Sequence, residues 1–191
     1  MKKLLAGVDE VGRGSLVGPV YAAAVIFNKK IKKKEFKDSK RINKNKRENL
    51  AKYIMKNSIW SIGIASLQEI EKINILNASL LAMKRAIKKL KVKPKLVLVD
   101  GNKSPKIQNY LIKNVIKGDQ KIKEISAASI IAKVLRDKLM SKLSKKYKKY
   151  KWDLNAGYGT KEHIRLIKKY GITKFHRKKF KPIHNILSHK K

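Results

Sequence analysis

The sequence predicts an α/β protein, a mixed five-stranded sheet flanked by helices with a small helical segment at the carboxy terminus. Three observations carry this expectation. Short runs rich in Val, Ile, Leu and Ala alternate along the chain with stretches of helical spacing. Gly and Pro fall between them as punctuation, as at Gly18-Pro19 and Pro94. The 191 residues, 42% of them hydrophobic, suffice to bury a single core.

Leu4 to Val8 is a short apolar run ending in two acids, and Val20 to Phe27 is a longer one with β-branched and aromatic members. Gly12, Gly14, Gly18 and Pro19 separate them, so the pair reads as strand, glycine-rich turn, strand. Asn43 to Met55 has helical spacing, and Ile59 to Leu67 alternates as a third strand. A second helix is expected over Asn77 to Leu90, with Pro94 marking the break before the buried strand Leu96 to Val99. Val115-Ile116 is a short fifth apolar element, and Ile125 to Tyr147 reads as one long helix. After Tyr150 the pattern changes to Gly157-Tyr158-Gly159-Thr160, a helix-like stretch over Glu162 to Tyr170 and a basic segment with Phe175, Phe180 and Pro182. The expected organisation is a main domain over residues 1–150 with residues 151–191 as a helical appendage packed on it.

Fifty Lys and Arg against thirteen Asp and Glu give a net charge of +37, a field that attracts polyanions and makes nucleic acid the natural partner class. Only seven of the fifty are Arg, so most of the charge reads as solvated lysine background. It runs from Lys2 to Lys191 rather than along one amphipathic helix, which excludes a membrane-surface role. Without Cys there are no disulfides or thiolate sites, and His163, His176, His184 and His189 lack zinc-motif spacing. The apolar amino terminus is broken by Asp9 and Glu10 too early for a signal peptide, and the chain reads as cytoplasmic and monomeric.

Because acids are scarce, those that follow apolar strands stand out: Asp9 and Glu10, Asp100, and Asp119. Strand carboxyl ends line the crevice where open α/β sheets bind ligands. Carboxylates converging there repel one another unless cations lie between them, and an all-oxygen donor set suits Mg²⁺ or Mn²⁺. Two such ions serve phosphodiester cleavage by activating water and stabilising the leaving oxygen. Taken singly, each acid reads better as a helix cap or turn residue; the set, adjacent to a glycine turn, reverses that preference. Asp137 is read as an i,i+4 partner of Lys133, and Asp153 and Glu162 as turn and helix-start residues. Gly12-Arg13-Gly14 follows the first acid pair; its glycines allow a close approach of main chain to ligand, and Arg13 brings a planar fork that Lys lacks. The glycine spacing matches neither a dinucleotide fingerprint nor a P-loop.

Gly7-Val8-Asp9-Glu10-Val11-Gly12-Arg13-Gly14 with Gly18-Pro19-Val20 resembles the amino-terminal signature of the ribonuclease HII family. Further blocks follow in family order: Asp38-Ser39-Lys40, Asn74-Ile75-Leu76-Asn77-Ala78, Val99-Asp100-Gly101-Asn102, Lys117-Gly118-Asp119, Ala127 to Val134, and Gly157-Tyr158-Gly159-Thr160. The resemblance spans essentially the whole chain. It implies a ribonuclease H-like fold and an endonuclease that cuts the RNA strand of RNA/DNA hybrids, including beside a single ribonucleotide embedded in DNA, leaving a 3′-hydroxyl and a 5′-phosphate. On the same footing, Asp9, Glu10, Asp100 and Asp119 hold the divalent metal, Mn²⁺ or Mg²⁺. The Gly12-Arg13-Gly14 turn senses the 2′-hydroxyl, Tyr158 packs on the neighbouring deoxyribose, and Ser39 and Lys40 touch backbone phosphate. Contact with a replication clamp is not legible in the tail.

The Ala127 to Val134 block reads as small and apolar residues packing a helix on the sheet. Ser15 stands where the family usually has Pro, and Lys179 where it usually has Ser. The related ribonuclease HIII has an extra amino-terminal domain and a lysine in the matching turn; Arg13, eight residues of chain before Asp9, and the resemblance point to HII. Two rivals stand beside this reading: a non-catalytic basic nucleic-acid-binding protein, in which the acids are structural, and another ribonuclease H-like nuclease such as a junction resolvase.

Overall fold

The computed structural model describes residues 4–28 and 43–188. Its five strands are β1 (Leu5–Val11), β2 (Val20–Phe27), β3 (Ser58–Ala65), β4 (Leu96–Asp100) and β5 (Ile112–Val115), in the sheet order β3-β2-β1-β4-β5. The β1/β2 and β2/β3 pairs are antiparallel; β1/β4 and β4/β5 are parallel. The sheet is therefore mixed, and β1 and β4 end side by side.

β1 runs three residues beyond the Leu4 to Val8 run because its ladder with β2 continues through Asp9↔Ala23, Glu10↔Ala22 and Val11↔Tyr21. Main-chain pairing outweighs side-chain polarity at a strand's end. β5 likewise lies ahead of Val115-Ile116. Its register with β4 (Val97↔Ile112 to Asp100↔Val115) defines it, while Ile116 lies outside the strand and is largely exposed.

Each sheet face is covered by helix. Helix α1 (Lys44–Lys56), capped by Asn43, packs on the same face as the long α4 (Lys123–Lys146), against Ala23 and Val25 of β2. Small residues of α4, Ala127, Ala128 and Ala132, let it lie close to the strands, and Ile130 and Ile131 fill the space between. Each fully buried side chain of that size contributes about 1.5–3 kcal/mol. On the other face, α2 (Leu67–Lys88) places Ala78, Ala82, Met83 and Ile87 against Val8, Ala22, Ala24 and Val99.

Helix α2 begins ten residues earlier than the Asn77 to Leu90 periodicity indicates. Ser66 and Glu69 form a reciprocal capping box, and Arg85 holds the Glu69 carboxylate through two nitrogens at 2.6 and 2.8 Å. At Asn74 (φ 65°, ψ 169°) the helix is broken, and the Asn74 side chain accepts the Asn77 N–H at 3.1 Å to cap the second segment. The periodic pattern belongs to that second segment alone.

After a one-turn helix α3 (Gly118–Lys121) and α4, the chain forms a 3-10 turn (Lys148–Tyr150), α5 (Trp152–Asn155), α6 (Lys161–Tyr170) and α7 (Lys181–Ser188). These surround a third apolar cluster of Tyr150, Trp152, Ile167 and Ile183, which also takes in Leu16, Val17 and Met140. The segment after Gly14 is thus shared by the sheet and the carboxy-terminal elements.

Candidate active site

Alternation along β1 turns Asp9 to the α4 face, beside Val11, and Glu10 to the opposite one. At the end of the sheet both still reach one cavity of about 380 Å³, which Asp100 lines from the end of β4. Asp9 is 6% exposed; its Oδ1 accepts the Glu10 N–H at 2.8 Å, and Ser129 on α4 donates to the same carboxylate. Burial pushes the Asp9 carboxyl well above the usual range, and the nearby Glu10 and Asp100 charges push it further. Glu10 is also raised by burial, against the pull of Arg13, whose Nη1 lies 3.8 Å from Glu10 Oε1.

Asp100 Oδ1 accepts the Gly118 N–H at 2.7 Å. A side chain at Gly118 would collide with Ile125, so glycine lets this main chain come close to β4. Asp119 follows in the first turn of α3 and is 8% exposed, but it does not line the cavity with the other three acids. Among the described residues no set of three His, Cys, Asp or Glu side chains is arranged to hold a metal ion. The donors that do converge are carboxylate oxygens whose mutual repulsion raises Asp9, the chemistry that a hard divalent cation relieves.

The same cavity is lined by Gly12, Arg13, Gly14 and Tyr158, with Arg47 and Lys133 as further cations in the lining. Two fully buried arginines hold this wall. Arg136 donates from Nε to Pro19 O (3.1 Å), from Nη1 to Ala156 O (3.0 Å) and from Nη2 to Val17 O (2.9 Å), and its Cζ lies 5.6 Å from the Tyr158 ring centroid. Gly12 sits at φ 89°, and any Cβ there would overlap the Arg136 guanidinium. Arg177 donates from Nε and Nη2 to Gly18 O and from Nη1 to Arg13 O, at 2.8–3.0 Å. Burial, and the charge of Arg136 beside it, bring Arg177 down to about 9, so it stays cationic at neutral pH. Isolated bridges Ser15↔Tyr158 and Val17↔His176 complete the stitching.

Of the two departures from the family pattern, Ser15 sits in this stitching and Lys179 lies against α2. The Ser15 hydroxyl donates to Val17 O at 3.0 Å, and Lys179 Nζ donates to Glu71 O at 2.7 Å. Ser39 and Lys40 lie outside the described residues. Asp137 pairs with Lys133 at 2.7 Å, Glu162 with Lys151 at 2.6 Å, and Asp153 accepts from Ser144 at 2.6 Å, so these three acids are structural. Assigning the whole Ala127 to Val134 block to the core needs correction at two residues: its apolar members pack the sheet, whereas Ser129, beside Asp9, and Lys133, paired with Asp137, line the cavity. Arg136 and Arg177 were also missed as site residues. An Arg amid the apolar run Val134-Leu135 was the available signal for the first.

The family model described as Ribonuclease HII matches residues 6–183. The chain belongs to the ribonuclease HII family. It is 70% identical over 185 residues to the ribonuclease HII of Pelagibacter ubique, covering 97% of this chain and 100% of that one. It is 54% identical over 181 residues to that of Borreliella burgdorferi, covering 94% and 100%. In structure it superimposes on the ribonuclease H2 of Pyrococcus horikoshii with a TM-score of 0.80, at 26% identity and 97% coverage of each chain. As a ribonuclease HII it is a hydrolase, an endonuclease acting on the RNA strand of RNA/DNA hybrids, with the ribonuclease H-like fold. The family depends on divalent metal. A purely binding role for the +37 charge is thereby set aside.

Proposed function

We propose that the chain cuts on the 5′ side of a ribonucleotide at an RNA–DNA junction, including a single ribonucleotide embedded in duplex DNA, and leaves a 3′-hydroxyl and a 5′-phosphate. The observation that carries this reading is one cavity lined both by carboxylates and by a glycine turn joined to Tyr158 through the Ser15↔Tyr158 bridge. Asp9, Glu10 and Asp100, with Asp119 next to them in α3, are the residues to hold Mn²⁺ or Mg²⁺. When bound, the metal supplies Lewis-acid activation of water and neutralises charge developing on the phosphate.

The protein's own groups do the rest. Main-chain groups of Gly12, Arg13 and Gly14 approach the 2′-hydroxyl, the group that separates RNA from DNA. Tyr158 packs on the neighbouring deoxyribose. Arg47, Lys133, Ser39 and Lys40 meet backbone phosphates. The enzyme acts as a cytoplasmic monomer without a membrane; no helix among the described residues is long and apolar enough to cross one. Residues 1–150 form the catalytic domain and 151–191 an appendage; the third apolar cluster, drawn from both sides of residue 150, supports the packing of one on the other.

The test is a duplex carrying one ribonucleotide, with an all-DNA duplex of the same sequence beside it, each incubated with Mn²⁺, Mg²⁺ or chelator. A single cut 5′ of the ribonucleotide, only with metal and only in the first duplex, is expected. Intact substrate under every metal condition, or cutting of the all-DNA duplex, overturns the reading.

A further inference from the structure

We propose that His163 is a positioning residue that sets the orientation of Tyr158, and through it the preference for a ribonucleotide followed by DNA. This rests on the reading of Tyr158 given above. His163 is fully buried in the first turn of α6, where its own N–H is capped by Thr160 Oγ1 at 3.1 Å. Trp152 Nε1 lies 3.0 Å from His163 Nε2. An indole nitrogen can only donate, so Nε2 must accept and the imidazole proton must sit on Nδ1. That nitrogen is 2.8 Å from the Tyr158 carbonyl, to which it donates. The tautomer is thus dictated from one side and used on the other. Burial, which lowers the affinity of this imidazole for a second proton, keeps it neutral.

The Tyr158 segment is tied just before Tyr158 by Arg136 to Ala156 O and by the Leu16 N–H to Gly157 O, and the His163 bond ties the Tyr158 carbonyl itself. Tyr158 follows two residues in the left-handed region, Ala156 (φ 47°) and Gly157 (φ 77°), and precedes Gly159. Its carbonyl also takes the Thr160 N–H at 2.9 Å, a bond internal to the turn that moves with it. The bond from His163 instead comes from a residue anchored in the third apolar cluster. It fixes the plane of the Tyr158–Gly159 peptide, and so the direction in which the ring leaves the main chain, over Arg136 and into the cavity.

Two substitutions separate the two bonds. The Asn amide nitrogen overlays the imidazole Nδ1, so His163→Asn keeps the donor to Tyr158 and loses the acceptor for Trp152. His163→Gln reaches the Nε2 position, keeping the acceptor and losing the donor. Cleavage is measured as kcat and KM on the single-ribonucleotide duplex and on a uniform RNA/DNA hybrid, with Tyr158→Ala alongside. His163→Gln should lower kcat/KM on the first substrate relative to the second by about 5- to 10-fold, the worth of one hydrogen bond, with His163→Asn near wild type in that ratio. Equal losses in both variants, or none in His163→Gln while Tyr158→Ala loses the preference, overturn the role of His163 and leave that of Tyr158 standing. An unchanged ratio in Tyr158→Ala overturns both. Should the variants not fold, ¹⁵N NMR of the wild-type imidazole decides: protonation at Nδ1 supports the assignment, and protonation at Nε2 ends it.

Discussion

The acidic end of the sheet and the glycine turn line one cavity, yet they are held by opposite means. The acids sit where strand pairing carries them, Asp9 and Glu10 on β1 and Asp100 on its parallel neighbour β4, and their charges oppose one another. The turn is held by interior cations, Arg136 and Arg177, whose hydrogen bonds go to main-chain carbonyls. One wall is destabilised by its own charge and suited to a cation. The other has charge spent on rigidity, which suits a surface that must discriminate a single hydroxyl. Chemistry and discrimination therefore have separable supports, and substitutions should fail in separable ways.

The largest effect is expected at the acidic wall. Asp9→Asn should lower the cleavage rate by at least about 10²- to 10³-fold, the scale of losing a principal electrostatic group, while duplex binding in a gel-shift assay persists. The same change removes a buried charge that Glu10 and Asp100 repel, so in chelator the variant should melt at a higher temperature than wild type. A lower melting temperature would show that the Asp9 carboxylate is a structural acceptor for Ser129 and Glu10 first, and the contrast between the walls would collapse.

Arg177→Met probes the glycine turn. A hydrophobic side chain of similar volume removes the desolvation cost of the charge but leaves the Arg13 and Gly18 carbonyls without their donor, at a cost of about 1–3 kcal/mol each. What goes is the grip on Arg13 O and Gly18 O. Cleavage of the ribonucleotide duplex and of a uniform hybrid, which both present the 2′-hydroxyl, should fall alike by about 10- to 100-fold, the worth of hydrogen bonds to a charged donor, with a lower melting temperature. A larger loss on the ribonucleotide duplex than on the hybrid would mean that the turn also serves recognition of the neighbouring deoxyribose.

The same contrast explains what was legible in the sequence. Thirteen acids in a chain with fifty basic residues are conspicuous, and three of the four proposed ligands fall at strand ends that periodicity locates. The sheet itself was legible for the same reason, apart from ends that hydrogen-bond register decides. The supports of the second wall were hidden. Arg136 and Arg177 look like two more cations in a basic chain, and only burial reveals them; His163 matters through a Trp bond that joins α5 to α6. Ser129 was concealed in a small, apolar block whose helix face is divided between the sheet and the site.

Acid supplies the mildest probe, acting on the two walls with opposite signs. His176 is 1% exposed; its Nδ1 accepts the Thr173 N–H at 2.8 Å, and its Nε2 has no hydrogen-bond partner, set among the Tyr150 and Trp152 rings. Burial, and then the neighbouring His163, push its pKa down to about 4, against about 6.5 in the unfolded chain. Between those values the unfolded state binds more protons, so the stability from this residue is whole above about pH 6.5 and is lost as pH falls toward 4. The full loss amounts to about 3 kcal/mol. Asp9 and Glu10, raised rather than lowered, lose their repulsion over the acidic range, which offsets part of that loss at the other wall. Urea unfolding at pH 7 and 4.5 should therefore show a smaller decline in His176→Gln than in wild type. A decline of the same size in both would place the acid sensitivity outside the aromatic cluster that carries Tyr158.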